Sequence, residues 1–127
     1  MFDYTVESFK SMNEVVSALE GALKERGFGV LWDLDLTGTL QAKGIDFTRP
    51  YRILEVCSPQ QAKQVLDINI AVGYFLPCKI VVYEDEGVTK IGLPKPTAII
   101  GLVGEPGIQD IAEQIETTLK GVLDAVK

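Results

Sequence analysis

Two cysteines, Cys57 and Cys78, are the only side chains in the chain with soft nucleophilic or metal-binding chemistry, because the sequence contains no histidine. That absence excludes Ser-His-Asp and Cys-His nucleophile pairs, His-ligated zinc and iron, and the usual general base for reactions near neutral pH. The two thiols are too far apart for a Cys-x-x-Cys motif, and two alone cannot complete a tetrahedral zinc site. Two readings of them stand. Free cysteine is among the most buried residue types and behaves as a small hydrophobe. Against that, Lys79 beside Cys78 and Arg49 and Arg52 upstream of Cys57 are cations of the kind that lower a thiol pKa, which would suit redox chemistry or a soft metal. Arg49, Tyr51, Arg52, Cys57, Cys78 and Lys79 are therefore the candidate ligand-binding set. Catalytic residues, metal ligands and cofactors are not assigned.

Other motifs carry less. Asp33 and Asp35 form a carboxylate pair on one strand, read as a solvated edge, since a divalent cation would want more ligands. The stretch "IIGLVGEPG" places Gly101 and Gly104 before a helix, but no Lys-Ser/Thr follows and Pro106 removes an amide, so it is not a phosphate loop.

The bulk properties bound the class of protein that must position these residues. The 127 residues, 46% hydrophobic, suit one domain, residues 1–127, with a self-sufficient core. A net charge of −6 repels phosphate backbones and anionic lipid, so neither nucleic acid nor membrane is expected as a partner. No apolar run approaches a membrane span, and the N-terminus lacks the basic-then-apolar pattern of a secretory signal; a cytoplasmic location is the expectation.

Along the chain, "FDYTVE" alternates as a strand with one wet face. Ser11 and Glu14 form a capping box for a helix whose stripe is Met12, Val15, Val16, Leu19, Ala22 and Leu23, ended by Gly27. Phe28, Val30, Trp32, Leu34 and Leu36 share one face of a second strand, and "TGTLQAKG" is a short helical turn stopped at Gly44. "YRILEVC" is a third strand with neither face cleanly apolar: either Glu55 and Cys57 point inward, or Leu54 and Val56 do. Ser58, Pro59 and Gln61 restart a helix, which "NIAVGYFLP" follows as a second short helical piece or turn. If the insert folds back, the next strand is antiparallel and both cysteines lie at one end of adjacent strands. In "CKIVVYE", Cys78, Ile80 and Val82 face inward; "DEG" turns the chain at Gly87, and "VTKIGL" returns. "TAIIGLVG" reads as a sixth strand, and a final helix carries the stripe from Ile108 to Val126. The order strand, helix, strand, strand, helical insert, hairpin, strand, helix predicts an α+β two-layer sandwich, a mainly antiparallel sheet of about six strands with helices on one face.

The blocks "RPYRILEVCSPQQAKQVL", "GYFLPCKIVVYEDEG" and "AIIGLVGEPGIQDIAEQIETTLKGVL" resemble the bacterial and archaeal family called domain of unknown function 302. In that family a strand ending in Cys, a small polar residue and Pro leads into a helix, and Leu-Pro-Cys opens the next strand. Arg49, Pro50, Tyr51, Ile53, Leu54, Cys57 and Pro59, then Leu76, Pro77, Cys78, Val81, Val82, Tyr83 and Glu84, carry the likeness. Where the family commonly has a small residue two positions before the first cysteine, this chain has Glu55. The resemblance implies a small α+β domain, a homodimer, and no activity that can be transferred. The functional expectation is a homodimeric ligand-binding or accessory protein with an unidentified small ligand, the alternative being thiol redox or soft-metal binding by Cys57 and Cys78.

Overall fold

The computed structural model describes residues 1–127. Five strands, β1 (Asp3–Ser8), β2 (Gly29–Asp35), β3 (Tyr51–Cys57), β4 (Cys78–Asp85) and β5 (Val88–Pro94), form one antiparallel sheet in the order β1-β5-β4-β3-β2. The helices are α1 (Met12–Glu25), α2 (Leu36–Ala42), α3 (Pro59–Ile68), α4 (Pro96–Ile99) and α5 (Ile108–Val126), with 3-10 turns at Ile70–Phe75 and Ile100–Val103. This is the α+β two-layer arrangement that the element order predicts. No helix is long and apolar enough to cross a membrane.

Parity sorts the sheet. Leu54 and Val56 of β3, Ile80 and Val82 of β4, and Ile91 and Leu93 of β5 are fully or almost fully buried, and they meet Val15, Val16, Leu19 and Leu23 of α1 and Ile115, Leu119, Val122 and Leu123 of α5. The open question about β3 is settled in favour of Leu54 and Val56 as the inner pair. α1 crosses this face to connect the two edge strands, and both halves of its capping box form, Ser11 Oγ accepting from Glu14 N and Glu14 Oε1 from Ser11 N. A second, smaller core of Val65, Val72, Ile100, Ile108 and Ala112 joins α3 and both 3-10 turns to the first turns of α5.

Three expectations need correction. Residues 97–104 are not a sixth strand: Pro96 occupies the first turn of α4, where its missing N–H costs nothing, and the chain continues as 3-10 helix to Gly104, at φ 72°. Of this run Ile100 is buried, in the smaller core, while Ala98 and Leu102 face outward. β2 does not carry one continuous apolar face, because the register slips between Val30 and Trp32. That bulge puts Val30 and Asp33 on the helix side and turns Trp32 and Leu34 to the other. Finally, Ser58 makes no side-chain cap, so α3 starts on Pro59 alone.

At the hairpin both central residues, Glu86 and Gly87, have positive φ (52° and 82°), the conformation that matches the twist of the strands it joins.

Candidate functional site

The antiparallel β3–β4 pair brings the two cysteines to one end of the sheet. Val56 lies opposite Cys78, so Cys78 shares the inner face with Ile80 and Val82, while Cys57 has the alternate parity of Glu55. The helical insert folds back as α3 and the 3-10 turn, and the Leu76–Pro77 peptide that delivers the chain to Cys78 is cis. Both thiols line a small void of about 10 Å³ with Phe28, Ala62 and Ile115, and they are free. Burial pushes Cys78 up to about 11, the neighbouring Cys57 adding to it, and burial also raises Cys57. The nearby cations do not offset this. Lys79 sits on the outer face with its Nζ 3.4 Å from Glu55 Oε1, and both arginines are occupied elsewhere.

Arg52 points to the helix side, at the far end of β3 from Cys57. It holds both oxygens of Asp33 and donates from NH1 to Asn13 Oδ1 at 3.2 Å, tying the start of α1 to the sheet. The hydrogen bonds to Asp33 raise its pKa, a sign of a stable structural pair. Asp35 caps α2, its Oδ1 accepting from Gly38 N at 3.0 Å. The two aspartates are thus engaged side chains and not a solvated edge. Arg49 lies at the surface, 3.8 Å from Asp85. Tyr51 stacks on Tyr83 of the adjacent strand, ring centroids 5.2 Å apart, and burial followed by that neighbour raises its pKa. The six candidates therefore do not converge: Arg52 serves the inner face at one end, Arg49 and Tyr51 lie near it, and Cys57, Cys78 and Lys79 gather at the other. No group of three or more Cys, Asp and Glu side chains is placed to hold a metal ion.

The concavity at the cysteine end is a hollow of about 270 Å³ where β4 starts and β5 ends. The 3-10 turn forms one side with Phe75 and Leu76, and α4 with its 3-10 continuation forms the other with Pro96, Ile99 and Ile100. Cys78 and Lys79 both line it, and Tyr74, 90% exposed, stands beside it. The wall at α4 is fixed. Thr97 N and Oγ1 donate to Glu116 Oε1 of α5 at 3.1 and 2.6 Å, and Lys120 lies 3.2 Å from the other oxygen. Burial would raise the Glu116 pKa, but the bonds from Thr97 and Lys120 outweigh it and hold the carboxyl below the usual range. Ile100 belongs both to the hollow and to the smaller core, so this wall is continuous with packed interior.

Most of these walls were missed in the sequence. Residues 70–76 show no clean period, and 97–103 have the composition of a strand. The Pro94-Lys95-Pro96 punctuation was the available signal, since proline in a first helical turn marks a helix start.

The face of the sheet away from the helices is uncovered within the chain. Leu34, Ile53 and Val81 stand in register across β2, β3 and β4, each half-buried, with the Tyr51–Tyr83 stack on one side of the row and Trp32, Glu55 and Lys79 on the other.

The family described as "Domain of unknown function DUF302" matches residues 4–126. None of the curated proteins matches the chain. Among solved structures, the chain is similar to an uncharacterized conserved protein DUF302 from Bacillus stearothermophilus, with 52% identity over 100% of this chain and 99% of that one and a TM-score of 0.97. By sequence and by fold, the chain belongs to the DUF302 family.

Proposed function

We propose that the protein is a homodimeric small-ligand-binding protein whose site is the hollow at the start of β4. The observation that carries this reading is the hollow itself: an apolar concavity of about 270 Å³ with its α4 wall fixed and few polar side chains, the general character of small-molecule sites. Its membership of the candidate set is partial, through Cys78 and Lys79. The dimer uses the bare sheet face. An apolar row flanked by both a carboxylate and an ammonium is self-complementary, as a two-fold interface requires. The thiol alternative is not adopted, because burial raises both thiols where a nucleophile or metal ligand needs them lowered.

The site is tested with a neutral probe, 4-phenylbutan-1-ol, titrated into methyl-labelled protein. Saturable shifts of the Ile99 and Ile100 methyl signals are expected. Ile99→Trp, which fills the hollow from a half-buried position, is expected to abolish them while the remaining spectrum stays folded. Absence of saturable shifts at these methyls in the unmodified protein would defeat the reading.

A further inference from the structure

We propose that the hollow accepts a small neutral primary carboxamide with an apolar body, its amide group read by the main chain of Lys79 and Pro94. The proposal rests on the ligand-binding reading above and narrows it to a chemical class.

The strand registers show where the main-chain groups point. Glu84 N donates to Pro50 O at 3.1 Å, one pair beyond Tyr51 and Tyr83 in the β3–β4 register. Glu84 and every second residue before it, Val82, Ile80 and Cys78, therefore direct N–H and C=O to β3, while Tyr83, Val81 and Lys79 direct theirs to β5. On β5, Lys95 N donates to Phe2 O at 2.7 Å, one pair beyond Asp3 and Pro94. Lys95 and Leu93 thus serve β1, and Gly92 and Pro94 turn to β4.

The β4–β5 ladder stops at Val81 and Gly92. The same register would set Lys79 against Pro94, but proline has no N–H to donate, and no pairing forms between them. Lys79 N–H, Lys79 C=O and Pro94 C=O are left without hydrogen-bond partners in the chain. Both residues line the hollow. The Lys79 side chain lies on the outer face beside Glu55, so it is the Lys79 main chain that the hollow meets.

These three groups select the ligand. An apolar body that fills the hollow shuts solvent from them, and each buried donor or acceptor left unmet costs about 1–3 kcal/mol. They call for one acceptor and two donors, which a primary carboxamide offers in a single planar group. A carboxylate would set its oxygens against two carbonyls, a protonated amine accepts nothing from Lys79 N–H, and an ester has no proton for Lys79 or Pro94. A sugar would leave most of its hydroxyls unpaired against Phe75, Leu76, Ile99 and Ile100. An apolar cavity of about 150 Å³ accommodates benzene, so about 270 Å³ scales to about eleven heavy atoms, the size of 3-phenylpropanamide.

The experiment compares 3-phenylpropanamide with methyl 3-phenylpropanoate and with the 3-phenylpropanoate anion, by calorimetry and by the Ile99 and Ile100 methyl signals at pH 7.5. The amide is expected to bind about tenfold more tightly than either, the scale of one or two net hydrogen bonds, and to move the Lys79 amide proton downfield. In the free protein Lys79 N–H is expected to exchange with solvent on the order of 100-fold faster than Val81 N–H, which lies within the ladder. Lys79→Met leaves the main chain in place and is expected to keep the preference. Pro94→Ala supplies the missing donor and is expected to extend the ladder, protecting Lys79 N–H from exchange and abolishing the advantage of the amide. Lys79 N–H as protected as Val81 N–H in the free protein, equal affinities for amide and ester, an advantage lost in Lys79→Met or an advantage undiminished in Pro94→Ala overturns the carboxamide assignment and leaves the ligand-binding reading standing. Failure of all three compounds and of 4-phenylbutan-1-ol to move the Ile99 and Ile100 methyls at millimolar concentration overturns both.

Discussion

Val81→Glu is expected to convert the protein from a dimer of about 28 kDa, twice the 13.9 kDa chain, to a monomer in size-exclusion chromatography with light scattering. Val81 stands mid-row on the bare sheet face, between Ile53 on β3 and Gly92 on β5. In a two-fold sheet-to-sheet dimer a carboxylate there is buried without a partner from each copy. An uncompensated buried charge costs about 3–5 kcal/mol and each dimer would bury two, so the dimer constant should weaken by a factor of at least about 10,000. The fold of each chain should survive, because Val81 lies away from the helices and its inner neighbours Ile80 and Val82 are untouched. Circular dichroism then reports an unchanged helical signal. A monomer before mutation at micromolar concentration, or a Val81→Glu variant that remains dimeric, would remove the sheet face as the interface.

The second large effect concerns the thiols. With its pKa at about 11, Cys78 holds about 3 in 10,000 of its population as thiolate at pH 7.5, against about 1 in 10 for a free thiol of pKa about 8.5. Alkylation by iodoacetamide, followed by intact and peptide mass spectrometry, should label Cys78 about 300-fold more slowly than a cysteine peptide. Cys57, raised in the same direction by burial, should also fall behind the peptide. Labelling of either residue at or above the peptide rate would restore the thiol reading. The physical point is that proximity of a cation in sequence does not lower a thiol pKa. Lys79 follows Cys78 directly, yet strand alternation sends it to the opposite face, where it meets Glu55.

How much of this was readable in the residues differs from element to element. α1 and α5 were legible because a continuous 3.6-residue stripe is buried against one sheet face, and the hairpin because Gly87 must take positive φ. The antiparallel return of the insert, and with it the shared end of the two cysteines, was an arrangement the residues allowed without choosing it over a single crossover helix. Three features were not legible for definite reasons. The bulge at Leu31 leaves no local signature, yet it inverts the parity of Trp32 and Leu34 and places Asp33 beside Arg52. β3 presents apolar residues on both faces, one meeting the helices and the other lying on the face that nothing in the chain covers, so alternation alone could not choose. The run at residues 97–103 has strand composition but folds as helical turns that anchor Ile100 in the smaller core and leave Leu102 exposed, a tertiary contact that outweighs propensity. That run supplies Ile99 and Ile100 to the hollow, and the 3-10 turn supplies Tyr74 and Phe75. The candidate set consequently found its floor, Cys78 and Lys79, and missed its walls.

The site account is tested most directly by a crystal structure of the protein grown with 4-phenylbutan-1-ol. The account predicts the phenyl ring between Leu76 and the Ile99–Ile100 wall. A compound bound elsewhere, for instance along Trp32 on the sheet edge, with the hollow closed by its own side chains, would contradict it.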